Sequence, residues 1–122
     1  MGQRGALVTS WGAGRPGVPT AKGMEVFGEA LGWYDELAKT GRITGYRVYG
    51  SVNSDRGMII AEGDAADLAR LSTESESLKY LALASAVVDD VESSVYIGGG
   101  VDDVMGYYTT AVEAINAKGL GL

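Results

Sequence analysis

Short runs of β-branched and aromatic residues occur at four places along the chain, and glycines or polar turns end each run. Such runs are typical of β-strands, whose side chains point to alternate sides. The pattern predicts strands over residues 6–11, 43–52, 57–63 and 93–97. Because only the polar turn 53–56 separates the second run from the third, these two predict an antiparallel hairpin.

Apolar residues at intervals of three or four predict helices in the segments between the strands. The helices cover residues 20–39, a short stretch from 64, residues 73–86 and residues 101–118. Three of these helices have one side that is predicted to face inward. In helix 20–39 this side consists of Met24, Phe27, Leu31, Tyr34 and Ala38, and in helix 73–86 it consists of Leu78, Leu81 and Ser85. In helix 101–118 it consists of Val101, Val104, Met105, Tyr108, Ala111, Val112 and Ile115.

Capping residues mark several helix ends. Thr20 is predicted to cap the first helix, and Asp64 is predicted to open the second, with Asp67 in its first turn. Thr73 followed by Glu76 fits a capping box, which predicts a new start at that point. Gly41 stands where a left-handed residue closes the first helix.

The order of elements is β-α-β-β-α-β with one additional helix at the end. This order is typical of the ferredoxin-like plan, an α+β fold with an antiparallel sheet and its helices on one face. We expect one domain over residues 1–122. The face without helices must be polar or covered.

The composition narrows the possible chemistry. The chain has 122 residues, a formal net charge of −6, no cysteine and no histidine. Disulfides, thiolate nucleophiles, Cys/His zinc sites and Ser-His-Asp triads are excluded. Nucleic acid and anionic membranes are not expected as partners, because the chain has no basic cluster. The absence of a signal-like apolar segment favours a cytoplasmic protein, and neither a metal nor a cofactor is predicted.

The hairpin carries an arginine and a glutamate within its strands. With a turn over 53–56, Arg47 stands opposite Glu62, and Tyr49 stands opposite Ile60. Val48 and Ala61 then lie on the other face, under the helices. A complementary charge pair on one face is compatible with two roles, a structural ion pair or the polar pair of a binding site.

The other strands extend this mixed face in the same way. Thr9, Trp11 and Tyr96 are predicted to share it with Arg47 and Glu62, while Ala6, Val8, Val95 and Ile97 lie under the helices. Aromatic rings beside a charge pair are typical of a partly polar pocket. The simplest way to enclose such a pocket is to close two of these sheets against each other in a homodimer.

The element order, the GYRVYG strand, the hairpin into MIIAEGD and the helix start DAADLARL resemble the dimeric α/β-barrel superfamily over nearly the whole chain. The resemblance implies a ferredoxin-like homodimer with a pocket in each subunit. It also implies activities such as cofactor-free monooxygenation, isomerisation or cyclisation of a small aromatic or polyketide-like compound. The haem-binding members ligate iron through histidine, which this chain lacks.

The candidate site therefore consists of Arg47 and Glu62 as the catalytic pair, with Thr9, Trp11, Tyr49 and Tyr96 as the substrate-binding residues. The rival hypotheses are a non-catalytic module, whose mixed face is only a subunit interface, and a ligand-binding regulator without turnover. The Gly/Pro-rich segment 12–19 is predicted to be a connector or a lid, and Arg15 within it could meet an anionic ligand.

Overall fold

A computed structural model describes residues 2–121 of the chain. The elements in chain order are β1 (Arg4–Trp11), α1 (Thr20–Lys39), β2 (Gly45–Gly50), β3 (Gly57–Asp64), α2 (Ala65–Ser72), α3 (Ser75–Val87), β4 (Glu92–Ile97) and α4 (Val101–Ala117). The four strands form one antiparallel sheet in the order β2-β3-β1-β4. The predicted α+β, ferredoxin-like fold is confirmed.

The core lies between the sheet and the first two helices. Leu7, Ile59 and Ala61 of the sheet are buried against Leu37 of α1 and Leu68 of α2. The inward side of α1 largely follows its predicted stripe, since Tyr34 is buried and Phe27, Leu31 and Ala38 pack against the core. By contrast, α3 has no buried residue.

The hairpin pairs differently from the prediction. Arg47 stands opposite Ile60 and Tyr49 opposite Met58, so the predicted register, with Arg47 directly opposite Glu62, is wrong, although the two side chains still form an ion pair. The turn is longer than expected, because β2 ends at Gly50 and β3 begins at Gly57. Residues 51–56 form the loop, and a hydrogen bond from Ser51 N–H to the Arg56 carbonyl closes it. Because the pairing moves by an even number of residues, every hairpin side chain keeps its predicted face.

The predicted orientation of β1 is wrong. Leu7 pairs with Ala61 and Val95 on the helical side, and alternation then places Thr9 and Trp11 on that side too. Trp11 packs edge-on against Phe27, with ring centroids 5.7 Å apart. Ala6 and Val8 lie on the opposite surface, which we call the helix-free face. In β4 the prediction holds, since Val95 shares the side of Leu7 and Tyr96 the side of Ala6.

Two predicted caps are replaced by other contacts. Thr20 is the first helical residue of α1, and Pro19 precedes it without a side-chain cap. Thr73 ends α2 by donating its hydroxyl to the Arg70 carbonyl, and α3 begins two residues later. The other two predictions are confirmed, because Asp64 accepts from Asp67 N–H and Gly41 has a φ of 76°.

Candidate functional site

A cavity of about 560 Å³ lies on the helical side of the sheet, between the sheet, α1 and α3. Ligand pockets in proteins have volumes of this order. The helix α3 has no buried residue because it covers this cavity and not a packed core. Its inward side is formed by Ser77, Tyr80, Leu81, Ala84 and Val87. The side predicted from Leu78 and Ser85 is exposed instead.

Aromatic rings form much of the cavity wall. Trp11 from β1 and Phe27 from α1 meet edge to face, and Trp33 of α1 stacks on Tyr80 of α3 with ring centroids 6.4 Å apart. Rings held in this way present flat apolar surfaces to a ligand. Trp11 and Trp33 are the two tryptophans of the chain, and both line the cavity.

Three hydroxyl groups lie together at the sheet side of the cavity. The Thr9 Oγ1 atom is 3.4 Å from the Tyr34 hydroxyl oxygen and 3.2 Å from the Ser93 Oγ atom. Burial raises the pKa of the Tyr34 phenol, and the hydrogen bond with Thr9 lowers it by less. Tyr34 therefore keeps its proton at neutral pH and is a hydrogen-bond donor, not a base.

The Gly/Pro-rich segment 12–19 lies along one side of the cavity and is tied to the chain between α3 and β4. Gly12 N–H donates to the Asp89 carbonyl at 2.7 Å, and Asp89 N–H donates to the Ala13 carbonyl at 2.8 Å. Arg15 donates to the Ser85 carbonyl and pairs with Asp89 at 3.0 Å. The Arg15 guanidinium thus binds to the end of α3 and to the residues that follow it.

The cavity lining is almost free of charge. Among the described residues that line it, Asp55 is the only carboxylate, and no lysine or arginine takes part. A charged ligand would lose hydration here without gaining a counter-charge. The lining therefore favours an uncharged ligand.

The structure divides the predicted site residues between two surfaces. Thr9 and Trp11 line the cavity on the helical side, so their predicted place on the helix-free face is wrong. Arg47, Tyr49, Glu62 and Tyr96 lie on the helix-free face. Arg47 Nη2 is 2.7 Å from Glu62 Oε1 along the diagonal, with 62% and 40% of the two side chains exposed. Glu62, and secondarily Tyr49, raises the pKa of the Arg47 guanidinium.

Several lining residues were not singled out as site residues from the sequence. Tyr34 stands in the apolar stripe of α1, where it looks like an ordinary core residue, and Ser93 was placed only as a strand end. Trp33 and Tyr80 were not assigned to any site. The sequence did contain one signal for Tyr34. A hydroxyl group within an apolar helical stripe needs a buried hydrogen-bond partner, which indicates a polar group nearby.

Two further findings concern the part of the chain that is described. Residues 2–121 contain no cluster of three or more carboxylate side chains arranged to hold a metal ion. No helix within the same range is long and apolar enough to cross a membrane.

Solved structures share this fold at low sequence identity. SnoaB, a cofactor-independent oxygenase from Streptomyces nogalater, is 13% identical, with a TM-score of 0.57 over 81% of this chain and 96% of its own. A protein of Nitrosomonas europaea, whose proposed activity is that of an antibiotic biosynthesis monooxygenase, is 10% identical, with a TM-score of 0.59 over 83% and 95%.

A dimeric protein of ferredoxin-like fold from Bacteroides fragilis is 13% identical, with a TM-score of 0.57 over 77% of this chain and 96% of its own. At such identities the likeness shows the fold. No protein-family model and no curated protein matches the chain.

Proposed function

We propose that this protein binds a flat, uncharged, oxygen-bearing aromatic compound in the cavity between the sheet, α1 and α3, and oxidises it with dioxygen without a cofactor. The observation that carries the proposal is the cavity itself, with aromatic walls and a hydroxyl cluster at one side. The fold shared with a cofactor-independent oxygenase supports the reaction class.

The position of the hydroxyl cluster supports one orientation of the ligand. The Tyr34 hydroxyl donates a hydrogen bond to a ketone or phenol oxygen of the ligand, since its raised pKa keeps the proton in place. The ring system then lies against Trp11 and Trp33. Stacking on these rings excludes water from the reacting carbon.

The oxidation balances without an external reductant. A ring CH₂ group flanked by aromatic rings and conjugated to a ketone loses a proton to Asp55, the carboxylate that lines the cavity, and the resulting enolate transfers one electron to dioxygen. The two radicals combine to a peroxide, which takes up the proton, and loss of water leaves a second ketone. One oxygen atom enters the product and the other becomes water. The hydrogen bond from Tyr34 stabilises the enolate oxygen.

The proposal is tested by filling the cavity from α3. Ala84→Phe places a ring inside the cavity, whereas Ala82→Phe adds the same ring on the exposed side of the same helix. We expect anthrone to quench tryptophan fluorescence in the parent chain, because both tryptophans line the cavity. We expect Ala84→Phe to lose this quenching and Ala82→Phe to keep it.

Turnover is measured separately, as oxygen uptake and quinone absorbance with anthrone in the presence of a chelator. Oxygen uptake that is present in the parent and in Ala82→Phe, and absent in Ala84→Phe, supports catalysis in the cavity. Equal quenching in both variants would overturn the proposed binding site.

A ligand-binding regulator without turnover is the second candidate. It is favoured by one observation, that Asp55 is the sole carboxylate among the described lining residues, so the cavity offers few groups to accept a proton. Saturable fluorescence quenching without oxygen uptake above the uncatalysed rate would select this function.

We further propose that two copies pair through the helix-free face. Tyr49 and Tyr96 are about half exposed there, together with the partly exposed Met58. Exposed aromatic residues on one sheet face are typical of interface anchors. The ion pair of Arg47 and Glu62 would then fix how the two sheets align, in place of the catalytic role predicted for it. The dimeric neighbour structure supports this assembly.

A further inference from the structure

The final helix α4 shows an apolar stripe that nothing in residues 2–121 covers. Its residues recur at intervals of four, three, four and three, and no residue of the helix is buried. The stripe consists of Val101, Met105, Tyr108, Val112 and Ile115, with 77% of Val101 and 54% of Val112 exposed. We call these five residues the α4 stripe.

The spacing of the α4 stripe indicates the kind of surface that covers it. Apolar residues repeating every 3.5 positions form the seam of two helices that pack side by side, knobs into holes. Val104 and Ala111, the other two apolar residues on this side of the helix, are already partly covered, so the exposed seam consists of the five stripe residues. The partner element is therefore expected to be a helix with the same repeat.

The start of α4 is fixed next to the helix-free face. Arg4 Nη2 pairs with Asp103 Oδ2 at 2.8 Å, and Arg4 lies on the same side of β1 as Ala6 and Val8. The α4 stripe therefore begins beside the surface that is proposed above to pair two copies. With 17 residues, α4 is about 25 Å long, which exceeds the width of a four-stranded sheet.

The area that a stable dimer needs also points to α4. A standard interface buries about 800 Å² on each partner. The exposed apolar side chains of the helix-free face offer on the order of 400 Å², judged from half-exposed tyrosines. The α4 stripe, whose five residues are 46% to 77% exposed, offers a similar area. Both surfaces together reach the required size.

Charge argues against a membrane as the covering surface. Between residues 101 and 118 the chain carries Asp102, Asp103 and Glu113 against the single Lys118. An anionic bilayer repels such a helix, whereas helices that bind bilayers carry lysine and arginine beside the apolar side.

The neighbour structures also cover 77–83% of this chain but 95–96% of their own, so this chain has a part that their folds lack.

We infer that the α4 stripe packs against the α4 stripe of a second copy of this chain, and that this helix pair extends the homodimer proposed above. The inference rests on that homodimer, and Tyr108 allows a separate test. Tyr108 is the middle member of the stripe, so it meets its own copy whether the two helices run parallel or antiparallel.

The absence of cysteine makes a cross-linking test clean. We expect Tyr108→Cys to form a disulfide-linked dimer under mild oxidation at least tenfold faster than Thr110→Cys, whose side chain is on the opposite side of the helix. In sedimentation experiments, Val112→Glu should weaken the dimer at least tenfold, while Thr110→Glu, with the same added charge, leaves it unchanged.

The outcomes distinguish a failure of this inference from a failure of the homodimer itself. Equal cross-linking rates at 108 and 110, in a parent chain that sediments as a dimer, would overturn the helix pair and leave the sheet pairing standing. An unchanged dimer in Val112→Glu would do the same. A parent chain that sediments as a monomer up to 100 µM would overturn both, and would assign the stripe to a different partner.

Discussion

At the scale of single residues, Tyr34 differs from Tyr46 in what raises the pKa of its phenol. For Tyr46 the first cause is the hydrogen bond to Asp35, whereas for Tyr34 it is burial. A buried neutral phenol beside Thr9 and Ser93 is a fixed donor that faces the cavity. The cavity therefore has a polar end, which lies at the sheet.

The first prediction follows from the hydrogen bond that Tyr34 can donate at this polar end. Tyr34→Phe should weaken binding of anthrone about five- to tenfold, equivalent to about 1 kcal/mol for one lost hydrogen bond. Binding of anthracene, which has the same rings without oxygen, should change less than twofold. Tryptophan fluorescence titration measures both. A parallel loss for the two ligands would show that Tyr34 acts only by packing.

The second prediction concerns stability at high pH. Because the pKa of Tyr34 is raised in the folded state, its contribution is fully present below the unfolded value of about 10 and is lost as pH rises through the folded pKa. The free energy of unfolding of the parent chain should therefore fall relative to Tyr34→Phe above pH 10. Urea denaturation of both proteins at pH 8 and above pH 10 measures this. A constant difference across that range would contradict the burial of Tyr34.

At the scale of elements, one glycine within α1 and one just after it should respond to replacement in opposite ways. Gly28 lies on the exposed side within the helix, and no atom stands within 4 Å of an added Cβ. Gly41 lies just beyond the helix with a φ of 76°, a conformation that strains any residue with a Cβ.

We expect Gly28→Ala to raise the free energy of unfolding by about 0.5–1 kcal/mol. Gly41→Ala should lower it by about 1–2 kcal/mol. Chemical denaturation followed by circular dichroism measures both, and each variant serves as the control for the other. The same sign of change in the two variants would refute the assignment of the helix end.

The elements were predictable from the sequence, but some of their orientations were not. The ends of α1 follow from its apolar repeat and from Gly41, since this helix packs on a core. For α3 the repeat was misleading, because its inward side faces a cavity and carries Ser77, Tyr80 and Ala84 while Leu78 is exposed. A helix that covers a void does not show the leucine periodicity of a packed helix.

The orientation of β1 was hidden for a related reason. Ala6, Leu7 and Val8 are all apolar, so the strand has no polar side that would indicate its outward direction. Both surfaces of a central strand are expected to be apolar when each of them is covered. The site residues on β1 could therefore be named from the sequence, while the surface to which they belong could not.

At the scale of the whole molecule, the helix-free face gives the fourth prediction. Tyr49→Asp, which places a charge among its exposed aromatic residues, should raise the dimer dissociation constant at least tenfold. Val52→Asp adds the same charge in the hairpin loop, where the side chain is 99% exposed, and should leave the dimer unchanged. Analytical ultracentrifugation over a concentration series compares the two variants. Equal dissociation constants would exclude this face from the interface.

The pleat of β1 has a consequence for how this chain tolerates change. Side chains at odd positions of the strand, such as Thr9 and Trp11, line the cavity on the helical side. Side chains at even positions, such as Ala6 and Val8, form part of the helix-free face. One residue inserted before Leu7 would move every following side chain of the strand to the opposite face of the sheet. Lineages that lengthen or shorten this protein are therefore expected to do so in its loops, or by two residues at a time within β1.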